Sequence, residues 1–151
     1  MTDLKIQAES AVKNLLQSDE GQLLEVLGMR AEAITQDITK AGSFEPQVVY
    51  NEAAMGAKDV LRDVGSRIFR RWNKEAYKLM CGKDPDDSKQ RTELTKAIGL
   101  GDVAVATALT SALIYIGAAP AIATIIAAII VKRFFASALD EFCEIWKENL
   151  D

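Results

Sequence analysis

The chain has 151 residues, 49% of them hydrophobic, with three prolines and nine glycines, a composition that excludes a disordered, collagen-like or linker polypeptide. It contains no histidine, which excludes Ser-His and Cys-His nucleophile pairs, histidine-ligated zinc or haem, and a histidine pH switch. Eighteen basic and 22 acidic residues give a net charge of −4, which argues against a general nucleic-acid binder.

Apolar residues recur at helical spacing almost throughout. A first helix is predicted over about Asp3 to Leu16, on Leu4, Ala8, Ala11, Val12, Leu15 and Leu16. Ser18 is the expected N-cap of a second, which carries Leu23, Leu24, Val26, Leu27, Ala31, Ile34 and Ile38 and is expected to end at Gly42. After the turn SFEP, Pro46 suits a first helical position, and a long third helix is predicted from there to Met80. Gly56 and Gly65 lie inside it as candidate bends or close helix contacts, and Gly82 is the expected stop. Asp84, Pro85 and Asp87 together mark the start of a fourth helix, because carboxylates are favoured at the positive helix end. That helix is expected to end at Gly99-Leu100-Gly101, with Asp102 as the cap of a fifth. Gly99 to Ala104 superficially matches a dinucleotide fingerprint. It follows a helix rather than a strand, so a helix–helix turn is expected.

From Val103 to Val131 there are 29 consecutive uncharged residues, bracketed by Asp102 and by Lys132-Arg133. Such a run ordinarily suggests a membrane span. Here Gly117 and Pro120 divide it into halves of about 14 and 12 residues, each short of a ~30 Å hydrocarbon core at ~1.5 Å per residue. The expected arrangement is a helical hairpin wrapped by amphipathic helices at the centre of a bundle. In the other reading the hairpin enters a membrane; the architecture resembles that of pore-forming colicin domains, without a shared motif. The stripe Phe134, Phe135, Leu139, Phe142, Cys143, Ile145 and Trp146 extends the pattern, so the last helix is predicted to run from Pro120 to about Glu148.

Charge is segregated. Residues 58–83 carry eight basic and three acidic groups, whereas residues 1–57 carry four basic and nine acidic ones. Arg67, Arg70, Arg71, Lys74 and Lys78 fall within about 100° of a helical wheel, opposite Leu61, Ile68, Trp72, Ala76 and Leu79. The plain expectation is a solvated face answered by the acidic first 57 residues. The functional one is a surface for an acidic protein or an anionic membrane. Nucleic acid is the weaker partner, with Phe69 and Tyr77 as the residues that would stack on bases.

Other candidate chemistry is thin. Asp59 with Asp63, and Glu141 with Glu144 and Glu148, share helix faces and are expected to be solvated rather than metal-binding. Cys81 is expected to be a small, partly buried residue; the functional alternative, from its neighbours Lys78 and Lys83, is a lowered thiol pKa and a reactive thiol. Cys143 lies on an apolar stripe and is expected to be inert core. Two cysteines are too few for a disulfide framework, and MTDLKIQAES lacks the features of a secretory signal, so a reducing, cytoplasmic setting is expected.

The sequence therefore predicts one all-α domain over residues 1–151, a bundle of five or six helices with a buried apolar hairpin at about 103–131. It predicts no catalytic residues, metal or cofactor, and it makes no small-molecule substrate evident. The expected role is a non-catalytic protein-interaction module that binds a partner or self-associates; the alternative is a small membrane-active effector that deploys the hairpin, and the third reading is an enzyme or ligand-binding pocket within the bundle, which a buried apolar cavity with a converging polar group would favour.

Overall fold

The computed structural model describes residues 2–136 and 138–150, and it describes side chains from residue 5 onward, so the Leu4 side chain lies outside it. Eight α-helices are described: α1 Thr2–Leu15, α2 Glu20–Gln36, α3 Glu52–Met55, α4 Lys58–Cys81, α5 Ser88–Ile98, α6 Asp102–Tyr115, α7 Pro120–Phe134 and α8 Leu139–Glu148. No strand occurs among the described residues, so the fold is all-α as predicted. The count exceeds the expected five or six because two predicted helices are broken.

The predicted helix from Pro46 to Met80 is the first of these. Residues 46–51 have no regular structure, α3 is a single turn, and Gly56 ends it at φ 86°, a conformation that costs glycine nothing and other residues much. The second is the predicted helix from Pro120 to Glu148. It stops at Phe134 and restarts at Leu139 with a bend of 96°. That turn lays α8 back on the bundle, so that its apolar stripe, Phe142 and Trp146, is buried instead of running out into solvent.

Smaller corrections follow from capping. Asp19, not Ser18, caps α2: the Gln22 backbone N–H donates to Asp19 Oδ1 at 2.8 Å, and the Asp19 N–H donates to Gln22 Oε1 at 3.2 Å. The second helix ends at Gln36, and Ile38–Gly42 forms a separate 3-10 turn capped by Asp37. Asp84 and Pro85 open a 3-10 turn, Pro85–Asp87, that leads into α5. Gly101, at φ 108°, holds the N-cap position of α6, and Asp102 stands in its first turn.

The uncharged tract forms the predicted hairpin. Helices α6 and α7 span 14 and 15 residues, about 21 and 22 Å each, and join through Gly117 at φ 108°. They pack on each other, and α1, α2, α4 and α8 also contact α7. Every residue from Ala121 to Val131 is buried. Ile125, Ile126, Ile129 and Ile130 are fully buried, each worth roughly 1.5–3 kcal/mol relative to exposure. The only polar side chain in that stretch, Thr124, donates from its Oγ1 to the backbone oxygens of Phe44 and Pro120 at 3.2 and 3.3 Å. No single described helix is long and apolar enough to cross a membrane; α7 and α8 pass that test only as a bent pair.

Helices α2 and α4 approach each other closely at two glycines. A Cβ at Gly28 would lie 2.1 Å from the Leu61 carbonyl oxygen, and one at Gly65 would lie 2.0 Å from that of Leu24. Gly65 is therefore a close helix contact, one of the two roles foreseen for it, and Gly28 is its reciprocal partner. Both helices also bury apolar side chains: Leu23, Leu24 and Leu27 on α2, and Leu61, Phe69 and Ala76 on α4.

Two substitutions test this architecture. Gly65→Ala forces backbone apart from backbone and is expected to cost about 1–3 kcal/mol, read as a lower midpoint in urea unfolding. Ala123 is fully buried, so Ala123→Asp places an unpaired carboxylate among isoleucines and is expected to abolish folded, soluble protein. Wild-type melting of Ala123→Asp would show instead that this position reaches water.

Candidate functional site

Helix α4 buries Leu61, Gly65, Phe69, Asn73, Ala76, Leu79 and Met80, a repeat of three and four residues that turns its other side outward. Arg67, Arg70, Arg71, Lys74 and Lys78 all stand on that outer side and are exposed. None of the five has a carboxylate oxygen within 4.0 Å among the described residues. The acidic N-terminal part of the chain answers a different cation, Arg62, which pairs with Glu25, while Glu20 pairs with Arg133 at 3.1 Å. Arg71 instead lies over the Trp72 ring, 5.3 Å from its centroid.

The aromatic residues considered for base stacking are committed elsewhere. Phe69 is buried, with the Arg133 guanidinium 4.7 Å over its ring. Tyr77 meets Trp146 edge-on at 5.6 Å. Trp146 also packs on Phe134 and Phe142, and its indole N–H donates to Asn73 Oδ1 at 2.7 Å, so a buried amide on α4 fixes α8 in register.

The cysteines are joined. Cys81 at the end of α4 and Cys143 on α8 form a disulfide with Cα atoms 5.8 Å apart and a sequence separation of 62. This corrects both expectations: Cys81 is not a free reactive thiol, and Cys143 is a cross-link rather than plain core. The bond persists in an oxidising compartment; in a reducing one the same pair stands as adjacent thiols. The remaining candidates stay in solvent. Asp59, Asp63, Glu141, Glu144 and Glu148 are exposed, and no metal-binding group of three acidic or cysteine residues occurs among the described residues.

Two concave surfaces were not foreseen. One is a cavity of about 520 Å³ beside Arg30, bounded by α1, α2 and the extended segment after Phe44. The other is a groove of about 740 Å³ between α1, α5 and α6, floored by Ala104, Ala108 and Thr107 and edged by Leu100. Arg30 escaped notice in the sequence although the signal was there. It occupies a core position at the helical spacing of Leu23, Leu27 and Ile34, where a cation must find partners.

The cross-link generates a direct test. A closed loop of this length is worth about 4 kcal/mol on the chain-entropy account. Reduction, or Cys143→Ser, is expected to lower the melting temperature while leaving helical circular dichroism at room temperature unchanged. An unaltered melting temperature would show that α8 is held by Trp146 and Asn73 alone.

No protein-family model, no curated protein and no solved structure matches the chain.

Proposed function

We propose that this protein is a non-catalytic helical interaction module that recognises an acidic protein surface through the outer face of α4. One observation carries the reading: five exposed cations share that face, and none has a carboxylate partner among the described residues, in a chain of net charge −4. Charges so arranged steer association and select complementary surfaces. The acidic first 57 residues make a second copy of the chain one complementary partner, so self-association belongs to the same reading.

A protein is favoured over lipid on physical grounds. An amphipathic helix binds a membrane by inserting its apolar face beneath the headgroups. The apolar face of α4 is already committed to the core, which leaves only an electrostatic hold. The membrane-active reading draws its support from the hairpin itself, whose two helices carry no charge from Val103 to Val131. Its release would require undoing the burial of the whole Ala121–Val131 segment.

The test is a charge reversal. Arg70→Glu with Arg71→Glu alters exposed positions and is expected to change stability by under about 0.5 kcal/mol. The same variant is expected to lose salt-sensitive retention of polyglutamate and any concentration-dependent association seen by light scattering. Unchanged retention overturns the reading. Flotation with phosphatidylglycerol vesicles and release of an enclosed dye, without retention of polyglutamate, would replace it with the membrane-active one.

A further inference from the structure

We propose that the cavity beside Arg30 is a binding site for a small monocarboxylate carrying an apolar body. This site is separate from the α4 face and does not depend on its role. Arg30 is 6% exposed, in the middle of α2. One nitrogen of its guanidinium carries all its described contacts: Nη1 donates to the Ala121 carbonyl at 2.8 Å, to Thr124 Oγ1 at 3.0 Å and to the Phe44 carbonyl at 3.3 Å. These bonds pin the group to the first turn of α7 and to the loop after the 3-10 turn.

The other edge of the guanidinium is unused. Nε and Nη2 donate to no described group, yet among the described residues no fully buried side-chain nitrogen lacks a partner, so this edge reaches solvent. Arg30 lines the 520 Å³ cavity, where the proposed carboxylate would meet that edge. No carboxylate oxygen lies within 4.0 Å of it among the described residues. Burial lowers the guanidinium to about 10, partly offset by the field of Glu45, so it stays cationic at neutral pH. The site is thus a fixed, largely desolvated positive charge with no carboxylate in contact, Glu45 acting on it only from a distance.

The chemistry of the walls narrows the ligand. The Nε–Nη2 edge presents two parallel N–H bonds, a spacing that a planar carboxylate accepts with both oxygens. Ala11, Leu15, Pro46 and Val49 supply apolar wall, and Val49 is 83% exposed on the extended segment, a cost that an apolar ligand would recover. Glu45 stands at the rim with its Oε1 accepting from Asn14 Nδ2 at 3.0 Å. Its charge repels a second negative charge, which disfavours a phosphate dianion and leaves the monoanion.

Octanoate, acetate and inorganic phosphate are the probes, titrated into the 15N-labelled full chain. Octanoate is expected to move the Arg30 Nε–H resonance saturably at submillimolar concentration, and acetate and phosphate, which lack the apolar body, only weakly. Val49→Asp, at an exposed position, is expected to leave the melting temperature intact and weaken octanoate binding about tenfold. Glu45→Gln is expected to strengthen it. Because Arg30→Met risks unfolding the bundle, the resonance and the Val49 variant carry the test. An unmoved Nε–H signal, shifts confined to the α1–α5–α6 groove, equal binding of phosphate, or equal binding by Val49→Asp each overturns the proposal.

Discussion

Enclosure of α7 is the constraint on which the rest of the molecule depends. A helix with isoleucine, valine and alanine on every side has no face to offer water, so stability requires partners all round it. Helix α6 covers one side as the other arm of the hairpin, and α1, α2, α4 and α8 supply the remainder. Each of the surrounding helices must then be apolar inward and polar outward, and that division is what sends the cations of α4 to the surface. The charged face and the oily hairpin are two consequences of one packing problem.

The wrapping helices are drawn in by backbone contact as well as by side chains. Gly28 and Gly65 let α2 and α4 approach until the carbonyls of Leu61 and Leu24 occupy the space where Cβ atoms would be. Close approach multiplies dispersion contacts along the length of both helices. At the other end of α4, the Cys81–Cys143 bond and the hydrogen bond from Trp146 to Asn73 hold α8 against the bundle. Helix α8 has only ten residues, too few to be stable alone, so it exists as a helix because these contacts order it.

Arg30 is the exception to the division of polar and apolar faces. It sits among core positions and satisfies one nitrogen with backbone oxygens and a threonine hydroxyl instead of a carboxylate. Neutral acceptors compensate a buried cation less well than an ion pair does. The arrangement nevertheless ties three parts of the chain together: α2, the start of α7 and the loop at Phe44. It also lines the cavity beside α1, which makes a structural cross-tie also a point of chemical interest.

By itself the sequence determined that the chain is helical, that Val103 to Val131 doubles back at Gly117 and Pro120, and that Arg67, Arg70, Arg71, Lys74 and Lys78 share one face. These features are local: they follow from a 3.6-residue period, from glycine and proline at a turn, and from where charges are absent. Only the tertiary structure decided the break after Phe134, the extended course of residues 46–51, the reciprocal glycine contact, the disulfide and the setting of Arg30. Nothing in Phe135 to Ala138 forbids a continuous helix, and α8 turns because its stripe gains more by packing against α4 than by extending into water. Cys81 and Cys143 lie 62 residues apart, and Arg30 is 91 from Ala121. Pairings at such separations are set by the packing of helices in space, which no run of neighbouring residues encodes.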